Sequence, residues 1–423
     1  MLAAGAGNAA AEPALRIAGV DHASSANVPP PPSPRGCQQR FNIRCYTPAQ
    51  LRRAYDMGPL LARHVDGAGR TIVILDSFGS PTLRSDLRTF DRAFHLPDPP
   101  SLRIYQPVGR VPRFGRNPSE DQLIWATETT LDVEWSHVFA PAARIVVLET
   151  PVDETEGTHG MPQMMGAVRW AIKHHVGDLI SMSWGATEQT FPSARSIRDL
   201  RTTFVQASRH RLGLVAASGD TGAAGLKLDR QHYYAFRTTQ WPPSDPLVLA
   251  AGGTRLTLDA GGRRTSPDVA WNDSGGATGG GRSSVFARPS YQRAQRHVVG
   301  AHRGLPDISM SAATEAAAEV YTSFDGGPSW QLIGGTSLAT VELAGVVADA
   351  DQLAHHAIID LPARLYSLRH RGSAGIVDVT RGNNTFPHGP GRVRGFAAGR
   401  GYDLTTGFGT IDAAKFIPAF AAG

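Results

Sequence analysis

The chain has 423 residues, 41% hydrophobic and 19% charged, a balance that excludes a disordered or fibrous protein and permits one large α/β domain or a few smaller ones. Its net charge of +5 comes from scattered arginines rather than a basic stripe interleaved with aromatics, so no nucleic-acid partner is read from it. No run approaches the ~18 consecutive apolar residues of a membrane helix, and no membrane partner is expected.

The first residues, MLAAGAGNAAAEPALRIAGV, are rich in small side chains but lack the charged start and continuous apolar core of a signal peptide. Residues 22–36, which contain SSANVPPPPSP, read as a disordered Pro-rich linker. Cys37 and Cys45 follow in CQQRFNIRC; they are either two free thiols or one small disulfide loop, and the loop fits an oxidising compartment. Residues 1–44 are therefore set apart as a linker segment with a degraded or truncated export signal, and a single domain is placed at 45–423.

From there strands and helices alternate. TIVILD (71–76) is a β-branched apolar run, hence a buried strand, and Leu83, Leu87, Phe90 and Phe94 give 81–94 a helical face. Helices are expected at 120–138, 161–175 and 195–210, each followed by a strand: ARIVVLE (143–149), DLISMSW (178–184) and LGLVAASG (212–219). This rhythm predicts an α/β fold with a mostly parallel sheet and helices on both faces, whose chemistry collects at the C-terminal strand ends. After 250 the pattern turns to Gly-rich hairpins such as SGGATGGG (274–281), and a long helix starts near Thr336.

Three segments carry candidate chemistry. In IGGTSLAT (333–340) Ser337 stands at a helix mouth, where unpaired N–H groups favour an oxyanion; the ordinary alternative is an N-cap at Thr336 or Ser337. In TETTLDVEWSH (127–137) Glu128 and Asp132 lie four apart and share a helix face; two like charges there share a proton, bind something, or form a solvated acidic face. In AASGDTGAAG (216–225) a strand ends in a Gly-rich turn that presents Asp220, which is otherwise a turn former.

Taken together, with YTPAQLRRAY (46–55), SMSWG (181–185), AAGGT (250–254), WNDSGGATGGG (271–281) and LPDIS (305–309) in the same order, these segments resemble the sedolisin family over roughly residues 45–415. The resemblance implies a subtilisin-like three-layer fold and a secreted, acid-active serine-carboxyl endopeptidase acting on peptide and protein substrates; a monomer is the default expectation for a secreted peptidase. It makes Ser337 the nucleophile, Glu128 the general base, Asp132 the acid that orients it, and Asp220 the protonated oxyanion-hole acid. A carboxylate base has a reference pKa of about 4.3 and works where a histidine is already protonated. The resemblance also implies one structural Ca2+, held by the carboxylates of Asp378 and Asp403 and the carbonyls of Val379, Gly399 and Gly401, and it lays the substrate along Ser183, Trp184 and Gly185. Gly252 and Gly253 look similar to a second cleft wall. It further implies a long N-terminal propeptide, for which the residues before 45 are too few. Val341 departs from the family, which has Pro there.

Two other readings compete. A subtilisin-type triad would use Asp76 and His159, but His159 in EGTHGMP (156–162) follows the strand ARIVVLE, one unit too late. A catalytically inactive binding or scaffold relative would lack a triad member, and none is missing. The pairs His174–His175 and His355–His356 have no metal-type partners nearby and read as surface or packing residues.

Overall fold

The computed structural model describes residues 15–20, 28–154, 159–368, 372–388 and 391–423. Its centre is an eight-stranded sheet. The strands are β1 (Thr71–Ser77), β2 (Leu102–Tyr105), β3 (Arg144–Thr150), β4 (Leu179–Met182), β5 (Gly213–Ala217), β6 (Leu249–Arg255), β7 (Val269–Ala270) and β8 (Ile308–Ser311). They lie in the order β7-β6-β5-β4-β1-β3-β2 with β8 paired to β6, and every pairing is parallel except β6 with β7. The period of two along TIVIL shows why: Ile72 and Ile74 enter one hydrophobic layer while Val73 and Leu75 enter the other.

Helices α1 (Leu83–Phe94), α2 (Glu120–Phe139) and α5 (Thr336–Ala354) pack in the first layer, through Phe90, Leu131, Trp135, Leu338 and Val346 among others. Helices α3 (Met161–Lys173) and α4 (Ala194–Arg209) pack in the second, through Met164, Met165, Val168, Ile197 and Phe204. The expected helices and strands are present with their ends moved by a few residues.

A second, four-stranded sheet was not expected. It orders Leu15–Val20, Ser329–Gly334, Ala316–Thr322 and Arg44–Tyr46. It leans on α2: the Trp135 indole donates to Glu319 O at 2.9 Å, and Tyr321 N donates to Glu134 Oε2 at 3.0 Å.

The same region corrects the reading of the N-terminus. Residues 34–36 are not linker, because Pro34–Phe41 is a helix whose N-cap, Ser33, accepts from Gly36 N at 3.0 Å. A proline at the first helical position loses no hydrogen bond, so Pro34 starts the helix rather than preventing it. Cys37 and Cys45 are joined as a disulfide. The folded part therefore reaches back before 45, with Leu15–Val20 paired antiparallel to Ser329–Gly334 and the Trp330 indole donating to Pro29 O at 2.8 Å. The expectations for 1–14 and 21–27 lie outside the described residues.

Candidate active site

Helix α2 begins at a capping box: Ser119 Oγ accepts from Gln122 N at 3.1 Å, and Gln122 Oε1 accepts from Ser119 N at 3.1 Å. From Trp125 to Phe139 it has no exposed residue. Glu128 is 1% and Asp132 0% exposed, so the solvated acidic face is not what the structure holds. The Asp132 carboxyl is raised well above its ordinary range, first by burial, then by the charges of Asp76 and Glu128, with the Ser183 hydroxyl opposing the rise. Asp76, at the end of β1, is also fully buried, and its carboxyl is raised by burial against the opposing Thr129 hydroxyl. Three acids and a serine thus converge where α2 crosses the ends of β1 and β4. Asp76, the acid that closes the buried strand TIVILD at its C-terminal end, where chemistry is expected to collect, thus joins the site without the histidine of a subtilisin-type triad.

Ser337 opens α5. Gly335, the N-cap, has φ +125°, a conformation that favours glycine, and its N–H donates to Ala312 O at 2.7 Å. A Cβ on Gly334 would come within 2.6 Å of the same carbonyl, so the two glycines let the helix start directly over Ala312–Ala313. Ser337 Oγ donates to Ser183 O at 3.4 Å, which brings the candidate nucleophile against the serine that also faces Asp132.

Asp220 meets the same helix end. Its Oδ1 accepts from Thr336 N at 2.7 Å and lies 2.7 Å from Thr336 Oγ1, which in turn accepts from Gly219 N at 3.1 Å. The Gly-rich segment 271–281 wraps this loop: Ala277 N donates to Asp220 O at 2.9 Å, and Gly279 N donates to Gly219 O at 2.6 Å. A Cβ on Gly279 would lie 2.0 Å from Ser218 O, so no larger residue could approach so closely.

The remaining expected residues sort as follows. Ser183–Gly185 follows β4 beside Ser337, but the Trp184 side chain turns inward and its indole donates to Leu75 O at 2.7 Å, so only its backbone can meet a substrate. Gly252 and Gly253, the expected second cleft wall, have a packing reason to be glycine. They lie inside β6, where a Cβ would reach Ser309 Oγ at 2.5 Å or Ala312 Cβ at 2.5 Å, and their smallness serves strand packing. His159 is exposed in the turn before α3, and the groups acting on Asp132 include no histidine.

The candidate calcium residues come together from two segments. Gly401 N donates to Asp378 Oδ2 at 2.8 Å, and Asp403 accepts from Gly399 N at 2.9 Å and from Thr405 and Thr406 N at 2.8 Å each. Among the described residues no cluster of three or more His, Cys, Asp or Glu could hold a metal by side chains alone. An all-oxygen set of two carboxylates completed by main-chain carbonyls fits a hard cation such as calcium.

Comparison with known proteins follows the same lines. The profile of the subtilase family matches residues 124–363. The chain is 29% identical to kumamolisin of Bacillus sp. (strain MN-32) over 384 residues, covering 88% of this chain and 63% of that protein. It is 32% identical to sedolisin of Pseudomonas sp. (strain 101) over 265 residues, covering 61% of this chain and 43% of that protein. It thus spans less than two thirds of the length of these relatives. Among solved structures, Pseudomonas sedolisin, a serine-carboxyl proteinase complexed with two molecules of pseudo-iodotyrostatin, superposes with a TM-score of 0.75 at 27% identity, over 90% of this chain and 99% of that one.

Proposed function

We propose that this chain, which belongs to the subtilase family and within it to the sedolisins, is a secreted, acid-active serine-carboxyl endopeptidase. The observation that carries the reading is the meeting of Ser337 with Ser183, which faces Asp132, while Asp220 is tied to Thr336 one residue away.

In this reading a peptide lies along the backbone of Ser183–Gly185 with its scissile carbonyl at Ser337. Glu128 takes the Ser337 proton as Oγ attacks, and returns it to the leaving amine; water then releases the acyl group by the reverse path. Asp132, kept neutral by burial and by its neighbours, holds Glu128 in place. Asp220 donates to the oxyanion while protonated. A carboxylate base and a neutral oxyanion donor are present together only in acid, hence the expected pH range. Asp378, Asp403 and the carbonyls of Val379, Gly399 and Gly401 would hold one calcium, which would brace the loop behind the site. The buried disulfide supports export to an oxidising compartment, and none of the described helices is long and apolar enough to cross a membrane.

The test is cleavage of denatured protein from about pH 2.5 to 8 in calcium, beside Ser337→Ala and Glu128→Ala. Activity should peak below about pH 5 and fall at least ~10⁴-fold in Ser337→Ala, with a large loss in Glu128→Ala as well. Activity near neutral pH that survives Glu128→Ala would sink the carboxylate mechanism, and a folded chain inactive at every pH would favour a binding role.

A further inference from the structure

The hydrogen bonds around Thr336 bear on Asp220 in a way the family assignment does not supply. Thr336 is 1% exposed and Asp220 3% exposed, so water does not rearrange these contacts freely. A backbone N–H can only donate, and Thr336 N places its hydrogen on Asp220 Oδ1 at 2.7 Å. Gly219 N likewise can only donate, and its hydrogen takes a lone pair of Thr336 Oγ1 at 3.1 Å. The Thr336 hydroxyl hydrogen is then directed at Asp220 Oδ1, 2.7 Å away. Oδ1 accepts two hydrogens, which is the pattern of a carbonyl oxygen; the hydroxyl oxygen of a carboxylic acid accepts poorly and has a hydrogen of its own to place.

We propose that Thr336 is a positioning residue that makes Oδ1 the carbonyl oxygen of Asp220 and so reserves Oδ2 for the proton offered to the oxyanion. The proposal rests on the peptidase reading for its consequence but on these hydrogen bonds for its content. A hydroxyl donor also favours the ionised carboxylate over the neutral acid. Thr336 therefore aims the proton and at the same time lets it go at a lower pH than an apolar residue would. The other acids of the site stand elsewhere: Glu128 and Asp132 on α2, and Asp76 on β1. Asp273 in the adjoining hairpin is engaged by Thr314 and by Glu315 N, and Glu342 further along α5 by Ser311 N.

The test compares Thr336→Val, which keeps shape and loses the hydroxyl, with Thr336→Ser, which keeps the hydroxyl. Thr336→Val should lower kcat about 10–100-fold with KM nearly unchanged, less than the loss of an oxyanion donor outright. The neutral limb of its kcat/KM profile should move up by about one pH unit, and Thr336→Ser should restore both. In an Asp220→Asn background, where the donor does not ionise, Thr336→Val should move no limb. A Thr336→Val enzyme with unshifted limbs, or a Thr336→Ser enzyme no better than it, overturns the proposal. A second readout needs no activity: the 13C carboxyl signal of Asp220 in Ser337→Ala protein, identified by its loss in Asp220→Asn, should titrate about one unit higher when Thr336 is Val. An inactive wild-type chain would overturn the peptidase reading and leave this titration to decide the role of Thr336.

Discussion

Helices α3 and α4 cover one face of the central sheet with an apolar stripe and turn Arg and Lys to water, whereas α2 and α5 cover the other face and are buried nearly all round. The first pair gains its stability as amphipathic helices usually do, by burying Met, Ile, Val and Phe. The second pair buries acids as well: Glu128, Asp132 and Glu134 on α2, and Glu342, Asp349 and Asp351 on α5. Burial is the first cause in raising the carboxyls of Asp132, Glu134, Glu342, Asp349 and Asp351. The α3–α4 layer thus rests mainly on apolar packing, with Arg201 of α4 bonded to the buried Asp245, whereas the α2–α5 layer has its acids built into the helices themselves and burial favours their neutral form.

The sharpest way to break that contrast is in the α3–α4 layer. Phe204 is fully buried and stacks on Trp241 with ring centroids 5.2 Å apart, so Phe204→Ala should cost about 3–5 kcal/mol in denaturant unfolding. The loss should be equal at acid and neutral pH and should leave the pH limbs of activity in place; a shifted limb would show that the layers are coupled. Calcium gives the next effect. At a calcium concentration 100 times Kd, chelation should remove about 2.7 kcal/mol, read as a fall in Tm that Asp403→Asn abolishes.

The smallest effect concerns Glu319, on the second sheet against α2. Neither of its carboxyl oxygens has a hydrogen-bond partner among the described residues, and burial raises the group to about 8. The folded chain holds this proton over a range where the unfolded chain, titrating near 4.3, has released it. The contribution to stability is therefore complete below about pH 4 and drains away as pH rises through about 8. Glu319→Gln should match wild type in acid and exceed it near pH 7 by on the order of 2 kcal/mol, seen as a Tm higher by a few degrees. A Gln variant less stable at pH 7 than wild type would mean that the carboxylate finds water or a partner when charged.

The contrast also marks what the sequence allowed to be read. The β-branched runs announced β1 and β3, and the helices were placed by spacing and by their order after strands. Ser337, Glu128, Asp132 and Asp220 were picked out as candidates because Gly-rich turns and four-residue spacing are local signals. The all-round burial of α2 and α5 was not legible, since a helix without a polar face has no period to detect. The strand Ala316–Thr322, AAAEVYT, hid behind three alanines and a glutamate whose burial only tertiary packing explains. Pro34 read as linker because its helix is short and fastened by the disulfide rather than by propensity. The part of Thr336 depends on hydrogen bonds to residues more than a hundred positions away, which no local pattern encodes.

Helix α2, with no exposed residue from Trp125 to Phe139, has one more consequence. Its amides are expected in the slowest-exchanging class of the molecule, which hydrogen exchange would read directly. The candidate base would then ride on the last element to let go. Heat or denaturant should extinguish activity and structure in a single step, with no earlier stage at which the fold persists and the site has already come apart.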